Sequence, residues 1–286
     1  MQEQKIIKER YKKGQLVLAN KELAKGCVPK GFLPEGKSII SLAISYPVPH
    51  NKAQRRNLGI ISSYSLGNDY HRVFNDKIMK LVDFIKKETP MKSVISVDSG
   101  PLVDKAIAQR AGIGWYGKNT LIYSKDSGSR IFLGEILCDL ELEADESQKS
   151  KCSECNICLR ACPTGALRVD KPYKINPLRC ISYLTQKSGF IPLDKRGLIG
   201  NRIFGCDICQ DVCPFNKTRV IKDKDEFKPL IDNPVKLEGI LRMGNREFEK
   251  RFGHTALYWR GKNIIQRNAV IALGNLGRED SVDILI

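Results

Sequence analysis

The chain has 286 residues, 42% of them hydrophobic, with 48 Lys and Arg against 32 Asp and Glu for a formal net charge of +16. That apolar content excludes a disordered chain and suffices for one large domain or two to three smaller ones. The charge favours a polyanionic partner, although many basic proteins bind no nucleic acid.

The opening residues (MQEQKIIKERYKKGQ) are charged from the third onward and lack the apolar core of a secretory signal. The run Ile39 to Tyr46 falls far short of the roughly 20 residues of a membrane helix. The expectation is a soluble, cytoplasmic protein with no membrane association.

Residues 1–36 read as a basic lead-in of helix and loop that closes in a turn rich in Pro and Gly. Ser38 to Tyr46 (SIISLAISY) is short, apolar and bracketed by Gly and Pro, which predicts a buried strand. After a polar loop at His50 to Asn57, a helix is predicted over Tyr70 to Glu88, with Val73, Ile78, Leu81, Val82 and Ile85 near one face. A strand follows at Lys92 to Val97. Asp98, followed by Pro101, reads as the capped start of a helix running to about Ala111. Gly112 to Asn119 is a loop, and Thr120 to Tyr123 and Ile131 to Asp139 are further strands. Gly112-x-Gly114-x-x-Gly117 follows a helix, whereas a dinucleotide fingerprint follows a strand, so it carries no cofactor assignment. The acidic stretch Glu141 to Glu146 marks a boundary. Lys222 to Glu226 reads as a charged linker, and Asn263 to Ile286 as two short helices of a partial HEAT-type repeat.

Eight of the ten cysteines fall within 62 positions at two- and three-residue spacings, a pattern of metal ligation and not of disulfides. Cys27 and Cys138 stand apart and read as packed thiols. Cys152-x2-Cys155-x2-Cys158-x3-Cys162-Pro163 matches the bacterial ferredoxin run, in which three thiolates hold one cubane and the fourth reaches the other. Zinc ribbons use separated pairs of cysteines instead. Cys206-x2-Cys209-x3-Cys213-Pro214 is the same run without its first cysteine, since Ile203 stands there, and Cys180 is the substitute. Cross-ligation then assigns Cys152, Cys155, Cys158 and Cys213 to one 4Fe–4S cluster and Cys162, Cys180, Cys206 and Cys209 to the other. Eight thiolates fill eight iron sites, so the clusters relay electrons and leave the chemistry to another centre. Two such clusters, at about −2 each, leave the protein basic.

Several stretches together resemble the epoxyqueuosine reductases: VDSGP at Val97 to Pro101, AGIGWYGKN at Ala111 to Asn119, FLGEIL at Phe132 to Leu137, and the cluster run with PTGAL after it. CISYLTQ at Cys180 to Gln186, IGNRIFGCDIC at Ile199 to Cys209, and WRGK at Trp259 to Lys262 followed by QRN at Gln266 to Asn268 extend the likeness over nearly the whole chain. The family is similar to the reductive dehalogenases in joining a cobalamin-binding domain to two cubanes. The resemblance implies an α+β chain: a cobalamin-binding α/β reductase domain over residues 1–147, a ferredoxin-like two-cluster domain over 148–221, and a basic C-terminal region over 222–286 ending in the HEAT-like segment.

It also implies the activity, reduction of the epoxide of epoxyqueuosine at the tRNA wobble position to queuosine, with two electrons and two protons entering and water leaving. Asp98 matches the family's proton donor, a role that asks for a raised carboxyl pKa. Lys118, Asn119, Ile122 and Leu133 lie where the family builds part of its cobalamin pocket. The implied partners are the anticodon stem-loop of the tRNA and an external low-potential donor such as a flavodoxin or ferredoxin, with the protein a monomer. Arg242 to Arg267 holds seven Lys or Arg against two Glu, with Tyr258 and Trp259 among them. Basic groups there can hold phosphates while aromatics stack on unpaired bases, and Arg260, Lys262 and Arg267 are the expected contacts. The chain looks shorter at both ends than many members, and Ser62, Ser63 and Ser65 stand where some carry a cysteine near the corrin. The alternatives are a cobalamin and iron–sulfur reductase of another substrate, as in the reductive dehalogenases, and a non-catalytic ferredoxin-type carrier.

Overall fold

The computed structural model describes residues 28–48, 58–100, 102–217 and 225–277. The lead-in up to residue 27, the loop His50 to Asn57, Pro101, most of the charged linker and the second C-terminal helix lie outside these residues.

The N-terminal part is organised by one antiparallel sheet. Strand β1 (Ser38–Ser45) is followed by a short strand β2 (Leu58–Ile61), helix α1 (Tyr70–Glu88), strand β3 (Ser93–Val97) and helix α2 (Asp104–Arg110). Two-residue strands β4 (Trp115–Tyr116) and β5 (Ile122–Tyr123) pair as a small hairpin, and β6 (Ile131–Cys138) completes the set. The order is β1-β6-β3, with β6 central, pairing from Ser38 opposite Cys138 to Ser45 opposite Ile131 on one side and from Ser93 opposite Cys138 on the other. A central strand covered on both faces reads as a continuous apolar run, as FLGEIL does.

One face carries Ile40, Leu42, Ile95, Phe132 and Ile136. Helix α1 covers it through Tyr70, Phe74, Ile78 and Val82, spaced four residues apart. Val73, Leu81 and Ile85 are only partly buried, so the stripe is rotated from the one predicted. Gly134 permits the close approach, because a Cβ there would sit 2.7 Å from the Ile78 side chain. The other face carries Leu137, Ile39 and Val94 against Leu102 and Ile107 on and before α2.

Helix α2 corrects the expected start. It begins at Asp104 behind Val103, which makes no side-chain cap, and Asp98 instead occupies a left-handed turn residue at φ 48° immediately after β3. Its carboxylate is used by side chains, not by the helix.

The C-terminal half has one-turn helices α3 (Ile157–Arg160), α6 (Ile208–Asp211) and α7 (Pro214–Lys217), with α4 (Ile181–Gln186), α5 (Leu193–Ile199) and strand β7 (Arg202–Phe204) between them. Strand β8 (Val235–Lys236) and helices α8 (Leu237–Arg242), α9 (Asn245–Phe252) and α10 (Lys262–Leu276) follow. The second sheet has the order β7-β2-β8, parallel between β2 and β7 and antiparallel between β2 and β8. It takes one strand from each of the three segments separated in the sequence reading. Their side chains share a core of Ile61, Ile203, Phe204, Val235, Leu237 and Phe252. The expected boundaries at 147 and 221 therefore do not separate independent cores, because β2 buries its face only between the other two strands. Among the described residues no helix is long and apolar enough to cross a membrane.

Helix α10 ends at Gly277, whose φ of 60° supplies the left-handed C-cap. It docks through Asn268, 1% exposed, whose amide donates to the carbonyls of Thr185 and Ile203 at 2.7 Å each. Asn268→Ala leaves both buried carbonyls unpaired and should destabilise the holoprotein by roughly 2–4 kcal/mol in anaerobic urea denaturation. A loss well under about 1 kcal/mol would show that this docking is dispensable.

Candidate functional site

Asp98 stands where the end of β3 meets the first turn of α1. The Tyr70 hydroxyl donates to Asp98 Oδ2 at 2.6 Å, and His71 Nε2 lies 3.2 Å from the same oxygen. The other ring nitrogen of His71, Nδ1, is 2.7 Å from Asp69 Oδ1, and Asp69 also caps α1 by accepting from His71 N. Its second oxygen accepts from Trp259 Nε1 at 2.9 Å. Tyr70 is fixed between the Phe132 ring, stacked at 4.2 Å, and the His71 ring at 4.0 Å. A chain Trp259–Asp69–His71–Asp98–Tyr70 thus runs from an exposed indole to a buried phenol.

This wiring sets the charges. Burial lowers the affinity of His71 for its proton, but the bonds to Asp69 and then Asp98 outweigh it and raise the imidazole to about 9. Residual desolvation pushes Asp98 up, yet the bonds from His71 and Tyr70 hold it below the usual carboxylate range, with its side chain 60% exposed. The raised carboxyl that the sequence reading asked of Asp98 is not found here. At neutral pH the proton sits on His71. Burial, then the Asp98 charge, push the Tyr70 phenol up strongly, so it remains a donor.

The raised carboxyls are elsewhere, on the sheet face under α2. Glu135 of β6 is flanked in register by Ser41 of β1 and Ser96 of β3, and Asp104 of α2 faces it. Burial is the first cause that raises both acids; the Asp98 charge then raises Asp104, and the Asp104 charge raises Glu135 to about 10. Glu135 therefore carries a proton at neutral pH. The hydroxyls of Ser41 and Ser96 and the remaining carboxyl oxygens have no hydrogen-bond partner among the described residues.

Between Asp98 and the cysteines lies a second polar knot. Asp207 accepts from Ser62 Oγ at 2.5 Å, Ser63 N at 2.7 Å and Ser63 Oγ at 2.8 Å, and faces the Arg130 guanidinium at 3.4 Å. Arg130, 3% exposed, also pairs with Asp211. Asp207 follows Cys206 in the chain, so the knot connects the serines after β2 directly to a cluster cysteine.

The structure gathers the eight cysteines of the two runs into two sets. Cys152, Cys155, Cys158 and Cys213 line one small cavity, with Lys118, Asn119, Tyr123 and Ile157 around it. Cys180 lies near Cys162, and Cys206 and Cys209 lie near Cys180. Among the described residues no three His, Cys, Asp or Glu side chains converge on the position of a single metal ion.

Of the four residues assigned to the cobalamin pocket, Lys118 and Asn119 line the cavity of Cys152, Cys155, Cys158 and Cys213. Lys118 is buried and donates to Asn156 Oδ1 at 3.0 Å, and Asn119 donates to the Tyr123 hydroxyl at 2.9 Å and to the Cys209 carbonyl at 3.5 Å. Both are turned toward the cysteines. Ile122 is buried in the β4–β5 hairpin. Leu133, opposite Ala43 in register, shares the sheet face of Ser41, Glu135 and Ser96.

Of the basic residues, Arg260 stands close enough to the partly buried Tyr64 beside Asp98 to act on its phenol. Lys262 begins α10. Arg267 is a correction: its guanidinium donates to the carbonyls of Lys187 at 2.8 Å, Gly189 at 2.5 Å and Leu184 at 3.2 Å, and to Asn268 Oδ1 at 3.1 and 2.8 Å. All five donors are used, three on the backbone at and just after the end of α4 and two on Asn268, so none is left for a phosphate. Trp259 is 65% exposed, with its indole 5.4 Å from the His71 ring. The sequence reading missed Asp69, Tyr70, His71, Arg130, Asp207 and the Asp104–Glu135 pair. Asp69 to His71 carry one local signal, a polar triplet at a helix start, but its partners are 27 and 190 residues away.

Residues 27–99 match a family described as Epoxyqueuosine reductase QueG, DUF1730, and residues 151–216 match a 4Fe-4S double cluster binding domain. The epoxyqueuosine reductase of Bacillus subtilis (strain 168) is 42% identical over 261 residues, spanning 89% of this chain and 67% of that protein. That of Lactococcus garvieae (strain Lg2) is 43% identical over 265 residues, 90% and 74% of the two chains. Among solved structures, epoxyqueuosine reductase with an epoxyqueuosine-modified tRNA-Tyr stem loop superposes with a TM-score of 0.93 at 38% identity, over 99% of this chain and 76% of that one. The B. subtilis enzyme with an aspartate-bearing catalytic loop swung out of its active site gives 0.90 at 38% identity, over 99% and 76%.

The His71 wiring has a signed consequence for stability. A group whose pKa rises from 6.5 to about 9 on folding contributes stability that is complete below 6.5 and lost as pH climbs through 9. Wild type should therefore exceed His71→Gln in thermal midpoint at pH 6, with the gap closing by about pH 9.5. A gap of equal size at both pH values would contradict the assignment.

Proposed function

The chain belongs to the epoxyqueuosine reductase family, and from that premise we propose that it reduces the epoxide of epoxyqueuosine in the tRNA wobble position to the alkene of queuosine, using two 4Fe–4S clusters, cobalamin and Asp98. As a member of that family it is an oxidoreductase of queuosine biosynthesis. The observation that carries the finer reading is the coincidence at one place of an exposed carboxylate, a protonated histidine and an exposed tryptophan in a basic stretch.

The balance of the reaction assigns the work. Both C–O bonds of the epoxide break and the C=C bond forms, with two electrons and two protons consumed and the oxygen released as water. A relative has been solved with a catalytic-loop aspartate swung out of its site, which supports giving that role to Asp98, held at a left-handed turn. Gly100 lets this turn fold back on β3, since a Cβ there would fall 2.1 Å from Ser96 Oγ. The Asp98–His71 couple stores one proton as carboxylate and imidazolium. Bringing the substrate oxygen against Asp98 and excluding water favours passage of that proton from His71 through the carboxyl to the departing oxygen. Before that transfer, Asp69 balances the charge on the ring. The Asp104–Glu135 pair, which feels the Asp98 charge, holds another proton at neutral pH.

The donor set also supports a corrinoid. The unpaired hydroxyls of Ser41 and Ser96 and the carboxyl oxygens of Asp104 and Glu135 need partners, and the carboxamides around a corrin present both donors and acceptors. Leu133 would add apolar contact on the same face, Ile122 a buried wall, and Lys118 and Asn119 a link toward the clusters. When bound, cobalamin would supply the strongly reducing centre that opens the epoxide, which thiolate-saturated clusters cannot do.

For the tRNA, Arg260 and Lys262 would hold phosphates and Trp259 would stack on an unpaired base beside Asp98. A relative has been solved with a modified stem loop.

With a strong chemical reductant and epoxyqueuosine-bearing tRNA, nucleoside analysis should show queuosine from the native protein and near-complete loss in Asp98→Asn, with tRNA binding kept. Undiminished conversion in that variant would remove Asp98 from the proton-donor role. Arg260→Ala with Lys262→Ala should weaken tRNA binding and lower its log–log salt slope by about one to two. An unchanged slope would place the phosphates elsewhere.

A further inference from the structure

We propose that the surface around Cys155 is the docking site of an acidic one-electron carrier that loads the cluster held by Cys152, Cys155, Cys158 and Cys213. The proposal rests on the two-cluster reading above and adds where electrons enter and what kind of protein brings them.

Cys155 is the exposed member of the eight thiols in the two runs; the other seven are partly or wholly buried. The edge of this cluster therefore meets solvent, whereas Cys209 of the other set is covered by Asn119. Beside Cys155 the apolar side chains of Ile157 and Tyr173 are 47% and 42% exposed. Around them stand Lys149, Lys151, Arg160, Lys171 and Lys174, all exposed. Two contacts assemble this rim from separate segments. Ser150 Oγ and the Tyr173 hydroxyl are 2.9 Å apart, and Tyr173 N donates to the carbonyl of Lys118 at 3.1 Å. Lys118 lines the same cavity as the four cysteines. The carboxylates nearby are Glu154 and Asp170, and Asp170 is already tied to Arg168.

A small apolar centre inside a ring of flexible cations suits a brief electron-transfer encounter, in which charge steers the approach and little area is buried. The positive sign selects an acidic partner. Chemically, the carrier gives up one electron and the cluster gains it, with no bond made or broken. Two such encounters supply the two electrons of one epoxide. The tRNA is argued above to lie at Arg260 and Trp259, beside Asp98, which leaves this rim free while substrate is bound.

The test uses the holoprotein and reduced flavodoxin, mixed anaerobically without tRNA, with cluster bleaching followed in time. In the variant K149E/K171E/K174E the second-order rate at low salt should fall about tenfold or more and lose its salt dependence, while replacement of the same three by Arg keeps it near wild type. Cluster content, tRNA affinity and turnover with dithionite should match wild type. A rate within about twofold of wild type would overturn the proposal. So would a loss of tRNA affinity with the carrier rate unchanged, which would make the rim a nucleic-acid surface. The readout needs no epoxide chemistry, so a wild-type protein that reduces its clusters but makes no queuosine would count against the functional reading alone.

Discussion

Cys213 closes the second cysteine run in the sequence, yet it lies in one cavity with Cys152, Cys155 and Cys158 of the first, while Cys162 of the first run lies near Cys180. Each run gives its last thiol to the other's set. A segment of short helices and turns, whose modest apolar cluster of Ile181, Leu184, Ile191 and Ile199 is shared with Ile271 of α10, is thereby fastened at both ends. Much of the rest depends on that crossing. β7 leads into Cys206 and pairs with β2; Asp207, next in the chain, gathers Ser62, Ser63 and Arg130; and Asn268 of α10 bonds the backbone on either side. Metal ligation on this plan contributes to folding as well as to chemistry.

Electrostatics divides the molecule in a way that its net charge of +16 does not reveal. Two groups of cations lie on the rim near Cys155 and in the stretch around Arg260. The interior carries opposed arrangements. Arg130 is buried against two carboxylates, Glu135 beside Asp104 keeps its proton, and His71 is held cationic between Asp69 and Asp98. Proton stores on one side and thiolate ligands on the other suit a site that must deliver two of each particle to one bond. Asp98 itself is held ionised, with the nearest proton one hydrogen bond away on His71.

Local signals were legible. The helix over Tyr70–Glu88 could be read because its apolar residues recur along one side, and β1 because its run is short and bracketed by Gly and Pro. The cysteine spacings are local too, so the metal chemistry stood in plain view. What could not be read depends on pairing across long stretches. Four residues of β2 carry little pattern, yet they join two strands from later in the chain. Asp98 followed by Pro101 has the look of a helix cap, but β3 ends in a turn that aims the carboxylate at α1 instead. Arg267 looks like a phosphate ligand by composition and is consumed by the end of α4. The resemblance to a known family singled out Asp98, and only the structure supplied Tyr70 and His71 as its partners.

The most direct test of the crossed ligation is a comparison of three cysteine variants by Mössbauer and EPR spectroscopy after anaerobic reconstitution. Cys213→Ser should disturb the same cluster as Cys158→Ser and leave intact the one disturbed by Cys209→Ser, although residue 213 belongs by sequence to the run of Cys209. A Cys213→Ser spectrum matching that of Cys209→Ser would mean that each run keeps its own cluster, and the account of how this fold is tied together would be wrong.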